Sequence, residues 1–331
     1  MEPGARVGRQ GERFKIEPPD APATSIPVRQ VSDIILHSFA QISAQALRTC
    51  ADHDIPVFWV AQTGDVIGTF APGGGRVQRR IRQYEALRDV DRRLHLARSL
   101  VKARVEGQVR FLLRATRGVP ERREPVVPAI RGIGDVLKRI LQYGDADALR
   151  GGEGRATAHY FGALPNLLRS ELQPAFSFEG RNRRPPRDRI NALLSFGYGM
   201  VYRTVLQAIL VVGLEPAFGF YHTPRSSAQP LALDLMEMFR IPLWDMPLVG
   251  ATNRGQWDPD ADFEVTREHV WLSKAGRKKA IEVYERRLAE EWKHPVTRYS
   301  LSYARLVELE VRLLEKEWSG EGGLFARFRL R

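Results

Sequence analysis

The chain has 331 residues, enough for about two ordinary domains, and 43% apolar with 27% charged residues is typical of a folded globular protein. Its net charge of +12 favours an acidic partner such as nucleic acid, although an arginine excess can also reflect genome composition. The single cysteine, Cys50, excludes an intrachain disulfide and a thiolate metal cluster. Residues 1–14 lack the apolar core of a secretory signal, and no stretch has the ~20 apolar residues of a spanning helix. We therefore expect a cytoplasmic protein without membrane contact.

The first part of the chain contains short β-forming runs separated by turn residues. Residues 6–7 and 13–16 predict a hairpin, and further strands are predicted at 26–36, 55–60 and 65–70. Between them, residues 43–50 have helical spacing, with Ser43 as an N-cap. The glycine-rich stretch 72–75 then marks a domain boundary. We predict a small β-sandwich-like domain over residues 1–75.

After this boundary the apolar residues recur at helical intervals. A long helical run without proline is predicted at 76–118, and further helices are predicted at 133–143, 154–161, 188–212, 228–239, 272–291 and 299–318. Residues 76–331 should form a larger all-α domain, which makes the fold class α+β. The Gly-rich, basic tail 319–331 is expected to fray.

Several well-known catalytic signatures are missing from the sequence. There is no Walker loop, dinucleotide fingerprint, metalloprotease histidine pair or nucleophile elbow. Nucleotide hydrolysis is therefore not the predicted energy source. Three segments instead place a possible metal ligand beside glycine, arginine or aromatic residues.

Glu153 and His222 mark the first two of these segments. Glu153 lies among glycines at 151–154, which we expect to admit a phosphate and to place the carboxylate in the first turn of a helix. An acid there could equally serve only the helix dipole. His222 follows an apolar run and precedes Pro224, which predicts a ring at the edge of the core with Arg225 available to a phosphate. A purely structural histidine is the alternative.

The third segment is the predicted helix at 231–240. Asp234 and Glu237 are three residues apart and share one face, and Arg240 follows three residues later on the same face. This spacing suits a metal-binding face, but it also suits a solvated stripe with a Glu–Arg ion pair. Spacing alone leaves both possibilities open.

Taken in order, the segments resemble the CRISPR-associated protein one family, the spacer-acquisition integrases. The motifs are Gly-Glu-Gly at 152–154 with Tyr-Phe at 160–161, Arg-Pro-Pro-x-Asp-x-x-Asn-Ala-Leu-Leu-Ser-x-Gly-Tyr-Gly at 184–199, Gly-Phe-x-His at 219–222 and Asp-Leu-Met-Glu-x-Phe-Arg at 234–240. Residues 26–28, 55–57 and 83–84 also resemble the β domain and linker of that family. Family members usually have one more strand before residues 2–5, so we expect an N-terminus that is truncated or cut from a longer fusion.

The resemblance implies that Glu153, His222 and Glu237 bind a divalent ion and that Asp234 supports or joins them. Carboxylates favour Mg²⁺ and an imidazole also suits Mn²⁺, so either ion is expected. The implied activity is metal-dependent transesterification by a catalytic domain at 76–331, joining the free hydroxyl ends of short duplex DNA to the CRISPR array. A metal-dependent DNA endonuclease or nickase, and a non-catalytic DNA-binding scaffold, are the alternatives.

Basic arrays are the expected DNA-binding surfaces. Residues 76–123 carry 14 arginines and one lysine against five acidic residues, and 181–189 carry five arginines against one aspartate. The candidate DNA-contact residues are Arg184, Asn191, Tyr198, Arg225 and Arg240. Helix packing is the alternative for Asn191 and Tyr198.

By the same resemblance, the partners are duplex DNA, both incoming spacer DNA and the CRISPR array, and a second copy of the chain. The homodimer would pair through residues 1–75 and bind a CRISPR-associated protein two dimer. A CRISPR-associated trimming nuclease is a further candidate partner.

Overall fold

A computed structural model of the chain describes residues 4–37, 39–61, 66–72, 77–182, 185–222, 229–293 and 300–327. In these ranges a strand-rich N-terminal region precedes a larger helical region, which confirms the predicted α+β class. The domain boundary predicted at 72–75 falls mainly outside the described residues. It therefore stays a prediction.

Two small sheets make up the N-terminal region. Its strands are β1 (Arg6–Gln10), β2 (Arg13–Glu17), β3 (Thr24–Pro27), β4 (Ile34–His37), β5 (Gln41–Ile42), β6 (Val57–Val60) and β7 (Val66–Phe70). One sheet has the order β3-β2-β1-β5 and the other β4-β6-β7. β1 and β2 form the predicted hairpin, with Val7 opposite Ile16. Both sheets contribute side chains to one small apolar core.

The continuous strand predicted at 26–36 is wrong. A 3-10 turn, Val28–Gln30, separates β3 from β4 and carries the buried side chain of Val28. Proline has no N–H to donate to a sheet, so Pro27 is a natural place for β3 to end. By contrast, helix α1 (Ala44–Asp52) has the predicted cap, since Ser43 Oγ accepts a hydrogen bond from the Ala46 N–H at 3.1 Å.

The helical region is built from longer elements. They are α2 (Val77–Arg88), α3 (Val90–Ala115), α4 (Pro120–Arg139), α5 (Ala146–Ala163), α6 (Arg189–Val212), α7 (Pro230–Arg240), α8 (Met246–Asn253), α9 (Lys274–Ala289) and α10 (Tyr303–Lys316). The run predicted at 76–118 divides at Asp89, whose carboxylate accepts from the Asp91 and Arg92 N–H groups and starts α3. Short hairpins, β8 (Phe263–Val265) with β9 (Val270–Leu272) and β10 (Glu291–Lys293) with β11 (Ser300–Ser302), were not predicted.

Helix α5 begins well before the predicted start at residue 154. Asp145 caps it by accepting from the Ala148 N–H at 2.8 Å. The glycines at 151–154 therefore lie inside the helix and are not a turn before it. Gly152 is buried under Tyr143, whose ring a Cβ at this position would approach to 2.6 Å. Close packing, and not phosphate access, accounts for this glycine.

Helix α6 is the central helix of the large core. Its length and mean hydropathy would allow it to cross a membrane. Half of its most apolar 18-residue segment is buried inside the fold, however, as in the core helix of a globular domain. Trp244, in the π turn Ile241–Asp245, packs on Gly197 and donates to the Leu193 carbonyl at 2.9 Å. A Cβ at Gly197 would come within about 2.0 Å of the Trp244 ring.

The C-terminal tail is docked as far as Arg327, so the expectation of fraying is wrong for this part. Glu317 accepts from the Gly323 and Phe325 N–H groups at 2.7 and 3.1 Å, and Glu310 accepts from Ala326 N–H at 3.0 Å. Phe325 is 4% exposed. Its ring packs edge-on against Phe220, two residues before the predicted ligand at 222.

Candidate metal centre

Two helices and one loop carry the predicted ligands. Glu153 lies in the middle of α5, while Asp234 and Glu237 lie on α7. His222 ends the described part of the loop after α6. Helix α3 adds Arg104, a buried arginine that had been predicted only as one of the DNA-binding basic residues at 76–123. Glu153 is far from the start of its helix, so a role for it in complementing the helix dipole is excluded.

Asp234 is fully buried and holds the loop that carries the histidine. Its Oδ2 accepts from the Phe220 and Tyr221 N–H groups at 2.7 and 3.0 Å. Its Oδ1 accepts from the His222 N–H at 2.7 Å. A Cβ at Gly219 would come within 2.5 Å of Oδ2, so the close approach of this loop to Asp234 requires glycine.

The same carboxylate also sets the orientation of the imidazole. His222 Nδ1 lies 2.7 Å from Asp234 Oδ1. A carboxylate oxygen accepts here, so Nδ1 is the donor, and in the neutral imidazole this tautomer leaves the lone pair on Nε2. This carboxylate–histidine pairing is the usual arrangement behind a metal-binding histidine. The predicted support role therefore fits Asp234 better than direct ligation.

Glu153 and Glu237 meet at the guanidinium of Arg104. Its Nη1 forms an ion pair with Glu153 Oε1 and lies 2.8 Å from Glu237 Oε2. The side chains of Arg104 and Glu237 are 9% and 5% exposed, so this contact is largely shielded from water. One cationic nitrogen thus lies between carboxylates that come from different helices.

Tyr221, on the loop, forms a hydrogen bond with Glu153. Its hydroxyl donates to Glu153 Oε2 at 2.9 Å. Burial raises the pKa of Tyr221 above its ordinary value, against the opposing effect of Arg104 and Arg150, so the hydroxyl remains a donor. Arg150 Nη1 donates to the Tyr221 carbonyl at 2.9 Å, which ties α5 to the loop a second time.

Arg240 positions Glu237 through a buried network. Its Nη2 lies 2.9 Å from Glu237 Oε1, and its guanidinium lies over the Tyr198 ring, 4.7 Å from the centroid. The Tyr198 and Tyr160 hydroxyls donate to Asp245 at 3.0 and 2.7 Å. Burial raises the pKa of Asp245 to about 6, although these hydrogen bonds oppose the shift. The network restrains Arg240 and, through it, the carboxylate of Glu237.

Comparison with known proteins identifies the family and the fold. A family profile described as "CRISPR associated protein Cas1" matches residues 1–286. The chain belongs to the Cas1 family. It is 56% identical over 332 aligned residues to a Cas4/Cas1 fusion of Myxococcus xanthus, covering 99% of this chain and 58% of the relative. It is also 30% identical to a Cas1 endonuclease of Chlorobaculum tepidum, covering 98% of this chain and 95% of the relative.

Solved Cas1 structures share the fold over nearly the whole chain. A Cas1 protein of Thermotoga maritima superposes with a TM-score of 0.82 at 26% identity, covering 97% of this chain and 96% of that one. A casposase bound to its integration product has the same TM-score at 21% identity, covering 98% of this chain and 90% of that one, and supports the fold alone. The chain spans just under three fifths of the length of the Cas4/Cas1 fusions that it matches.

The residues of this Cas1-family site fit a divalent ion. Within the described ranges, no three His, Cys, Asp or Glu side chains are already gathered around a common point close enough to hold an ion. The two carboxylates instead share one guanidinium nitrogen, which shows that their oxygens converge on a cation. Carboxylate oxygens and an imidazole nitrogen are donor types that suit Mg²⁺ or Mn²⁺.

Three of the candidate DNA-contact residues of this Cas1-family chain have structural roles, and one of them is Arg240, whose largely buried side chain pairs with Glu237 as described above. Asn191 is fully buried and accepts from Arg181 and from the Asn182 N–H at 2.8 and 3.0 Å. Tyr198 is 7% exposed and belongs to the Asp245 network. Neither side chain can reach DNA here, so these expectations are corrected. Arg184 and Arg225 lie outside the described residues.

The long basic array is only partly available to a ligand. Arg79 and Arg98 donate to the carbonyls of Val212 and Tyr143, and Arg93 donates to the Phe220 carbonyl at 3.4 Å. These arginines hold helices α2 and α3 to the rest of the domain. The charge of the array therefore overstates the number of phosphates that it could bind.

The sequence did contain a signal for Arg104. On α3 the buried positions Ala97, Leu100, Val101, Arg104 and Val105 recur at helical spacing, so Arg104 interrupts an apolar stripe. A charged residue on such a face must be paired inside the fold. The identity of its partners, about 50 and 130 residues away along the chain, could not be inferred from that pattern.

Proposed function

We propose that this chain is a divalent-metal-dependent DNA integrase, joining the free hydroxyl ends of short duplexes to a CRISPR array. The observation that carries the proposal is the convergence of Glu153 and Glu237 on one cationic nitrogen. Asp234 orients the imidazole of His222, which directly follows the tyrosine that binds Glu153. Membership of the Cas1 family supports the same assignment. The chain covers only part of the length of its Cas4/Cas1 relatives, so integrase activity is a proposal for this chain and is not carried over from them.

Glu153, Glu237 and His222 Nε2 would hold the ion. When bound, the ion polarises a phosphoryl oxygen and offsets the negative charge that grows in the transition state. Asp234 keeps the imidazole lone pair on Nε2 by binding Nδ1, and Arg240 restrains Glu237. Tyr221 holds Glu153 from its second oxygen. These contacts fix the ligands in advance of DNA binding, which lowers the cost of reorganisation.

The reaction is an exchange of phosphodiesters. The incoming 3′-hydroxyl forms a new P–O bond as the P–O bond of the array strand breaks, and one proton passes overall from the attacking to the leaving oxygen. The bonds made and broken are of the same type, so no nucleotide hydrolysis is needed. This balance agrees with the absence of a Walker loop from the sequence.

A strand-transfer assay with labelled short duplexes and a supercoiled plasmid carrying the array tests the proposal. We expect label to join the plasmid with Mg²⁺ or Mn²⁺ and not with EDTA. Glu153→Gln and His222→Ala should each lower the rate by about a hundredfold or more, because several kcal/mol of metal-derived stabilisation are lost. Glu282→Gln, an exposed change on α9, is the matched control and should retain full activity. Unchanged transfer by Glu153→Gln would refute the proposed site.

An endonuclease or nickase is the second candidate, because relatives such as the Chlorobaculum tepidum protein are described as endonucleases. Water would replace the DNA hydroxyl at the same ion. In the assay above, plasmid nicking without joined label would favour this activity over integration. If the wild-type protein bound DNA but neither joined nor nicked it, and the two site variants bound DNA equally well, a non-catalytic scaffold would be the better description.

We further propose that the chain acts as a homodimer in the cytoplasm, paired through residues 1–75, and that a Cas2 dimer joins two such homodimers. A Cas4-type nuclease is proposed as an additional partner, because curated relatives carry Cas4 fused to Cas1. Burial raises the pKa of Cys50, the only cysteine, to about 11, so the thiol stays protonated and unreactive, which suits a reducing compartment. Size-exclusion chromatography with light scattering, with and without Cas2, tests both assemblies.

A further inference from the structure

Arg104 has a position that its own helix does not explain. It lies on the apolar face of α3 and is 8% exposed, so its charge requires compensation inside the fold. Among the residues that the structure describes, the carboxylates that form ion pairs with it are those of Glu153 and Glu237, the two that we assign to the metal. The guanidinium therefore lies where these two ligands converge.

The two carboxylates depend on this cation in turn. Without a positive charge between them, the buried carboxylate of Glu237 and the partly buried carboxylate of Glu153 would repel each other in a medium of low dielectric. Arg240 contacts Glu237 on its other oxygen, and Tyr221 contacts Glu153 on its other oxygen. Neither of these groups links the two ligands. Arg104 is the group that does so.

We propose that Arg104 is a resident counter-ion, which occupies the position of the divalent ion in the metal-free protein and must be displaced when that ion binds. This inference rests on the proposed metal site. Two consequences follow from competition for one position. The guanidinium stabilises the metal-free fold, and it weakens the apparent affinity for the metal by the free energy of breaking its two ion pairs.

Titration of the metal-free protein with Mn²⁺, followed by calorimetry, tests the competition without any measurement of activity. Arg104→Met removes the charge and keeps a side chain of similar length. We expect it to bind Mn²⁺ on the order of tenfold more tightly than the wild type, within the usual range of coupling between sites. In EDTA it should melt at a lower temperature, and Mn²⁺ should raise its melting temperature by more than it raises that of the wild type.

Arg98→Met is the matched control for charge alone. Arg98 lies on the same helix as Arg104 and donates to the Tyr143 carbonyl, and within the described ranges it forms no ion pair with Glu153 or Glu237. We expect its Mn²⁺ affinity to stay within about twofold of the wild type. An equal gain in both variants would point to a general electrostatic field and overturn the proposal, as would no gain in Arg104→Met.

A crystal of the wild-type protein soaked in Mn²⁺ gives a second measurement, which does not depend on the folding of a variant. We expect an anomalous peak at the carboxylates and a guanidinium that has moved away from them. A bound manganese with Arg104 still between the carboxylates would overturn the proposal. If neither the wild type nor Arg104→Met bound Mn²⁺, the metal site itself would be wrong; Mn²⁺ binding without strand transfer would count against the integrase function alone.

Discussion

Replacing Asp234 by asparagine separates the positioning role of this residue from direct metal binding. The carboxylate is fully buried and accepts three backbone N–H groups as well as His222 Nδ1, two donors on each oxygen. Asparagine has nearly the same shape but replaces one oxygen by an NH₂ group. Whichever way the amide turns, one pair of donors then faces another donor.

The expected cost follows from the number of bonds lost. Two hydrogen bonds to a charged acceptor disappear, each worth about 1.5–3 kcal/mol, so the free energy of unfolding should fall by about 3–6 kcal/mol. This is a large part of the ~5–15 kcal/mol that stabilises a typical domain, yet it leaves room for a folded variant. An NH₂ group in place of Oδ1 removes the acceptor that fixes the His222 tautomer, and an NH₂ group in place of Oδ2 releases the Phe220 and Tyr221 N–H groups that hold the loop. Either change disturbs the imidazole, so Mn²⁺ affinity and strand transfer should fall.

Urea unfolding followed by circular dichroism measures the stability change, with Asp260→Asn as the matched control on an exposed loop. The control should lie within about 0.5 kcal/mol of the wild type. If the free energy of unfolding of Asp234→Asn lay within about 1 kcal/mol of the wild-type value, the loop before His222 would be held by something other than this carboxylate. The assigned positioning role would then be wrong.

Three further changes test other parts of the fold and the site. Gly197→Ala should cost about 3 kcal/mol or prevent folding, because the new Cβ would overlap the Trp244 ring, whereas Gly154→Ala, with open space around it, should be neutral or stabilising in thermal melts. Burial raises the pKa of Glu310 from 4.5 to about 8, so its protonated form stabilises the fold, and this contribution is lost as pH rises from about 4.5 through 8. The unfolding free energy of the wild type should therefore fall by a total on the order of 5 kcal/mol across this pH range, and Glu310→Gln should remove that fall. Tyr221→Phe should cost about 1 kcal/mol and weaken Mn²⁺ binding in calorimetry, because the ligand carboxylate on α5 loses its hydroxyl donor.

The strand and helix types were predictable because local spacing carries them. Ser43 capped α1 as expected, and the hairpin of β1 and β2 has the predicted position. The start of α5 was not predictable from the glycines at 151–154, which resemble a turn. Packing of Tyr143 on Gly152 and the cap at Asp145 keep this stretch helical. Tertiary contacts here overrode local propensity.

For the candidate site, the sequence supplied the residue types and their order but not how they are connected. Asp234 and Glu237 share a helix face, yet one binds the loop and the other pairs with Arg104 and Arg240. No spacing rule separates these roles, because they depend on groups that reach α7 from distant parts of the chain. Tyr221 was inside a recognised motif, and its bond to Glu153 could be found only in three dimensions.

The docked tail bears on how shorter versions of this protein should be designed. A fragment that stopped before Gly323 would uncover Phe220 and would leave the buried Glu310 without the amide of Ala326 that it now accepts from. The damage would reach the histidine loop, because Phe220 is also held by Asp234. Truncations meant to isolate the helical domain should therefore retain the chain through residue 327, and losses of activity in shorter fragments should not be ascribed to missing DNA contacts alone.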